Sequence, residues 1–192
     1  MIKIDWDHDV EEKWWNTDGK VNTSPTGYRL THIPTGVAVT GDVQLGARLD
    51  AQMALHRAIF DHEFDTKEKR MKFIHDIIFQ AEHSANDVPL LIHFLNDSDE
   101  NVVQGAADAL GHMGPLAQGA WMRIVDLLND TNRPTSTRDT CAYALGQFKC
   151  FNKYVVRSLV DAMYKSKGTV HDRAVDALWF ITRDIYSKVA RT

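Results

Sequence analysis

Val88-Pro89-Leu90-Leu91-Ile92-His93-Phe94-Leu95-Asn96-Asp97-Ser98-Asp99, followed one helix later by Ala107-Asp108-Ala109-Leu110-Gly111, decides the reading of this 192-residue chain. A largely apolar run gives way to an Asp-rich turn, and a second helical pattern then ends on small residues. The plan recurs. A second copy runs from Ala117 through Ile124, Leu127 and Leu128, turns at Asn129-Asp130, and ends in Ala144-Leu145-Gly146. A third carries Val155, Leu159 and Met163, a Lys165-Ser166-Lys167-Gly168 turn, and Ala177-Leu178-Trp179. From Ala109 to Ala144 is 35 residues and from Ala144 to Ala177 is 33; from Leu95 to Leu128 is 33 and from Leu128 to Met163 is 35. Two landmarks on different helices thus share one period, the mark of stacked helical hairpins. A lone hairpin has one apolar face too many, and a stacked neighbour covers it. The small Ala lets neighbouring helices approach, and the Asp-rich turn caps the second helix.

Working outward, two helices precede the repeat. Leu45, Leu49, Met53 with Ala54, His56 and Phe60 fall near one stripe, and a second helix fits Thr66 to Glu82, with Thr66 as N-cap and Met71, Ile74, Ile78 and Phe79 as its apolar face. Residues 1–44 have a different period. Ile2, Ile4 and Trp6 alternate as in a strand, and Tyr28–Ile33 pairs across Pro34-Thr35-Gly36 with Val37–Thr40 as a hairpin. A lone hairpin is marginal in water, so it must pack on the next helix. The expected fold is mainly α: an α-solenoid of about three helical hairpins with a small N-terminal antiparallel β module. The expected division is a β-hairpin-plus-helix module over 1–62 and a helical repeat domain over 63–192.

Asp97-Ser98-Asp99-Glu100-Asn101-Val102 with Ala107-Asp108-Ala109-Leu110-Gly111 resembles the HEAT repeat, over about residues 87–185. The resemblance implies a superhelical scaffold lined on its inner face by the second helices. Projected onto that face are Gln104 and Asp108, then Asp139 and Tyr143, then Asp172 and Asp176. This ladder is acidic and suits a basic protein surface better than a phosphate backbone, which would want Lys and Arg.

Tyr28-Arg29-Leu30-Thr31-His32-Ile33-Pro34-Thr35-Gly36-Val37-Ala38-Val39 resembles the hairpin after the catalytic loop of class I peptide chain release factors, and the likeness covers about residues 15–60. In that family a Gly-Gly-Gln tripeptide positions water on the peptidyl ester. By register the three positions here are Thr17, Asp18 and Gly19, and the family's Arg-Ser-Gln falls at Leu45-Gly46-Ala47. The resemblance therefore implies a fold fragment without hydrolase chemistry.

The net charge is -4, so no general attraction to nucleic acid or anionic membranes is implied, and no apolar run approaches the roughly 20 residues that span a bilayer. Charge is unevenly spread. Residues 1–132 hold 11 Lys+Arg against 21 Asp+Glu, and residues 133–192 hold 11 against 5. The histidine spacings His56-x5-His62 and His75-x7-His83 lack the i, i+4 geometry of a helical metal pair, and no glycine-rich phosphate loop is present: Gly36, Gly41 and Gly46 read as turns. Cys141 and Cys150 read as reduced, buried thiols, which points to the cytoplasm. Trp14-Trp15 sits on a strand or turn where one ring can anchor a partner. No catalytic residue, metal, cofactor or small-molecule substrate is expected. The favoured function is a non-catalytic adaptor or inhibitor that occupies another protein, through Gln104, Asp108, Asp139, Tyr143, Asp172, Asp176, Trp14 and Trp15. A ribosome- or tRNA-associated translation factor without hydrolysis is the second reading, and a helical-repeat DNA glycosylase the third.

Overall fold

The computed structural model describes residues 8, 10–15, 27–42, 47–80 and 82–189. It is mainly helical with a small antiparallel sheet. The elements are β1 (Val10–Trp15), β2 (Gly27–His32), β3 (Ala38–Asp42), α1 (Ala47–Glu63), α2 (Lys67–Phe79), α3 (Val88–Phe94), α4 (Glu100–Met113), α5 (Trp121–Asn129), α6 (Thr135–Gln147), α7 (Lys153–Lys165) and α8 (Thr169–Val189). A 3-10 turn over Gly114–Ala120 joins α4 to α5. Contacts divide the chain within α2, between Lys69 and Arg70.

The N-terminal unit is a β1-β2-β3 meander with α1 packed on β2 and β3. Its described core is Val10, Leu30, Leu55 and Ile59. The β2–β3 turn explains the Thr-His-Ile-Pro-Thr-Gly stretch. His32 Nδ1 lies 2.8 Å from Thr35 Oγ1, the His32 N–H donates to Val37 O, and Gly36 N–H donates back to His32 O. Gly36 has φ +71°, which a side chain would resist. Gly41 lies within β3 and not in a turn. Among the described side chains of α1, Leu55 and Ile59 are buried, Phe60 is half-buried and Ala54 is exposed, while those of Leu49, Met53 and His56 lie outside the description. The strand expected at Ile2–Trp6, and Leu45, lie outside the described residues.

The helical unit begins with the later part of α2. Lys69 N–H reaches Thr66 Oγ1 at 3.3 Å, the expected cap. The buried residues of α2 are Ile74 and Ile77, with Phe73 edge-on to Phe94 at 6.1 Å. Phe79, expected inside, is 72% exposed and packs on the His75 ring. Two residues past Ile77 is about 200° around a helix, so Phe79 must point away.

Each hairpin is closed by α3 on α4, α5 on α6 and α7 on α8, and neighbouring hairpins meet through α4 on α6, α6 on α8 and α5 on α7. This arrangement is compatible with a solenoid. Asp99 caps α4 by accepting from Asn101 N–H at 2.9 Å, and Asn152 caps α7 from Tyr154 N–H at 2.8 Å. The Ala-Leu-Gly landmarks mark where second helices touch. A Cβ on Gly146 would lie 2.8 Å from Ala177 Cα, and one on Gly111 would lie 2.9 Å from the Tyr143 ring and 3.3 Å from Ala144 Cα. The glycine of one copy thus receives the alanine of the next.

Polar side chains tie the same seams. Arg70 pairs with Asp97 at 2.8 Å. Glu100 accepts from Arg133 and, at 2.7 Å, from the fully buried Thr137 hydroxyl. Ser158 donates to Asn129 Oδ1 at 2.8 Å, and Arg138 donates to Leu128 O and to Ser166 Oγ.

Candidate macromolecular docking site

The six positions projected onto the second helices fall on α4, α6 and α8, which lie side by side. Gln104, Asp108, Asp139 and Tyr143 are half-buried, and Asp172 and Asp176 are exposed. They do not form a plain acidic ladder. Arg173 enters it, with Nε 3.4 Å from Asp139 Oδ2 and its guanidinium over the Tyr143 ring at 5.7 Å. His112 lies 3.7 Å from Asp108 and edge-on to Tyr143 at 6.2 Å.

Burial shapes the ionisation of this face. The Asp139 carboxyl is held above the usual aspartate range, because desolvation outweighs the attraction of Arg173. The Tyr143 phenol is also raised, first by burial and then by the Asp108 charge. With Arg173 paired to Asp139 and His112 beside Asp108, the face is mixed in charge.

Beside Arg173 a cleft of about 300 Å³ opens between α6 and α8, lined by Tyr143, Gln147, Arg173, Asp176, Trp179 and Phe180. Trp179 is 52% exposed and Phe180 40%, with the two rings edge to face at 5.2 Å. Arg183 stacks over Trp179 at 4.9 Å. Sequence reasoning treated Trp179 as a repeat landmark and passed over Phe180, Arg173 and Arg183. The signal was present in the alignment of copies. Trp179 occupies the place held by Gly111 and Gly146, where a large ring cannot be a close-packing device.

Trp14 and Trp15 lie at the end of β1, opposite Tyr28 and Gly27. The burial of their rings lies outside what is described, as do Thr17, Asp18 and Gly19. Cys141 is fully buried, and burial pushes its thiol up to about 12, which leaves it almost wholly protonated at neutral pH. Cys150 is half-buried beyond the end of α6 and not a core thiol. Among the described residues no three His, Cys, Asp or Glu side chains gather to hold a metal, and no described helix is long and apolar enough to cross a membrane. No protein-family model matches the chain, and a search of curated proteins also returns no match.

Proposed function

We propose that this chain is a non-catalytic protein-binding module, an adaptor or inhibitor that holds a protein partner against the exposed side of α6 and α8. One observation carries the reading. At the position where two earlier copies keep a glycine against the next helix, the third copy presents Trp179, half exposed, beside Phe180 and between Arg173 and Arg183. Exposed Trp, Tyr and Arg around a cleft are the residues that carry most binding energy at protein interfaces. The HEAT-like pattern supports a scaffold, and the release-factor-like hairpin without its tripeptide supports binding without turnover. A cytoplasmic setting fits the unpaired thiols.

The test is affinity capture from the native host, with protein and RNA recovery measured for wild type and for Trp179→Ala/Arg183→Ala. Both sites are exposed, so the variant should fold, and circular dichroism checks this. A defined protein should be recovered by wild type and lost by the variant, since truncating anchors of this kind costs about 2 kcal/mol or more. Recovery of RNA alone, or equal recovery by both chains, overturns the proposal.

A further inference from the structure

We propose that a second cleft, of about 460 Å³ between the turns of the second and third hairpins, binds a phosphate monoester. Its lining includes Arg138, Lys165, Lys167 and the hydroxyl residues Thr131, Thr135 and Ser166. It uses none of the residues of the aromatic patch, so it stands or falls apart from the protein-binding reading.

Arg138 is the fixed element. Its Nε donates to Leu128 O at 2.9 Å and its Nη2 to Ser166 Oγ at 3.2 Å. Those bonds use two of the five guanidinium donors and hold the fork in place. A guanidinium ordered in this way has already lost the entropy that binding an anion would cost. Lys165 and Lys167 add two mobile charges. Asp161 also lines the cleft and pairs with Lys165 at 3.0 Å. That pair is exposed and four residues apart on one helix, so it is weak and Lys165 can turn to a stronger anion.

Three cations and one carboxylate leave a surplus of two positive charges. A phosphate monoester carries about -1.5 to -2 at neutral pH and offers three acceptor oxygens. The α8 N-terminus adds to the match. Val170 in its first turn lines the cleft, and Gly168, at φ +65°, turns the chain into the helix. The first N–H groups of a helix lack partners within it and favour an anion, though Asp172 in the same turn takes part of that field. A nucleic-acid backbone would want cations spread along a face, whereas these converge on one cleft.

The full chain, labelled with nitrogen-15, is titrated at pH 7.5 and fixed ionic strength. The probes are inorganic phosphate, an Ala-Ala-phosphoserine-Ala-Ala peptide, its unphosphorylated twin and a short uridine oligonucleotide. Phosphate or the phosphopeptide should shift the amide signals of Thr135 and Ser166 through Val170 to saturation, and the unphosphorylated peptide should not. Lys165→Gln/Lys167→Gln should weaken that binding about tenfold or more, as expected for losing charge-assisted bonds. Tighter binding of the phosphopeptide identifies the source as a modified protein, and saturation by phosphate alone identifies a small free anion. Both support the site. Shifts that only track added sodium chloride, a double variant that saturates like wild type, or tighter binding by the oligonucleotide would overturn it.

Discussion

Replacing Gly146 with alanine sets two effects of opposite sign against each other. In a helix interior, alanine gains about 1 kcal/mol over glycine. Against that, the new Cβ would stand 2.8 Å from Ala177 Cα and 3.0 Å from Ala177 Cβ. Neither atom can rotate away, so α6 and α8 must part along the seam that carries Ala144, Leu145, Ala174 and Ala177, all buried. Overpacking of this kind costs about 1–3 kcal/mol, and because the clash is with backbone the upper part of that range applies. The expected net loss is about 1–2 kcal/mol, or a fall in Tm of roughly 3–6 °C per kcal/mol for a unit of this size. Gly111→Ala meets the edge of the Tyr143 ring first, which can tilt, so it should lose less. Gly119→Ala, with nothing within 4 Å, shows the gain from alanine without a clash and should be as stable as wild type or slightly more so. Urea unfolding followed by circular dichroism ranks the three. If Gly146→Ala proves as stable as wild type, or costs no more than Gly111→Ala, then the close approach of α6 and α8 is not what that glycine provides.

Two further outcomes follow from the polar groups. Glu100→Ala leaves the buried Thr137 hydroxyl without its acceptor and should cost about 2–3 kcal/mol, whereas Thr137→Val leaves Glu100 with Arg133 and should cost about 1 kcal/mol, both read from urea midpoints. Asp139 has a folded pKa raised above its unfolded value, so its favourable share of stability is complete below about pH 4 and is lost as pH rises through the raised value. Asp139→Asn removes that slope. The stability difference, variant minus wild type, should therefore move in the variant's favour between pH 4 and 7, and movement the other way would show that the Arg173 pairing outweighs desolvation.

The three hairpins are legible in the sequence because their signal is redundant: the Leu95 and Ala109 series give one period from two helices. The earlier helices are less so. On α1 the stripe through Ala54 and Phe60 competes with one through Leu55 and Ile59, and only the sheet beneath, with Leu30 at its centre, selects the second. The β2–β3 hairpin is legible from Pro34-Thr35-Gly36, since turn chemistry is local. Candidate-site residues were found where they share a helix face at i, i+4, as Asp139 and Tyr143 do. Arg173 was not, because its partner Asp139 is 34 residues away and a helical projection carries no information across helices. The small-residue rule is legible in kind from the alanines, whereas the glycines that receive them depend on how neighbouring helices lie against each other, which a single helix pattern does not carry.

The seams between hairpins hold two kinds of information. The apolar one is generic: Gly111 receives Ala144, and Gly146 receives Ala177, in the same way. By that contact alone the third hairpin could sit on the first, and the middle one could be skipped. The polar ties forbid the substitution. Glu100 reaches Arg133 and Thr137, but the places 33 residues further on are Ser166 and Val170, which put a serine where the cation stands and no hydroxyl where the buried threonine stands. The hairpins are interchangeable by shape and unique by address, so the order of the stack is written in its hydrogen bonds and its compactness in its small residues.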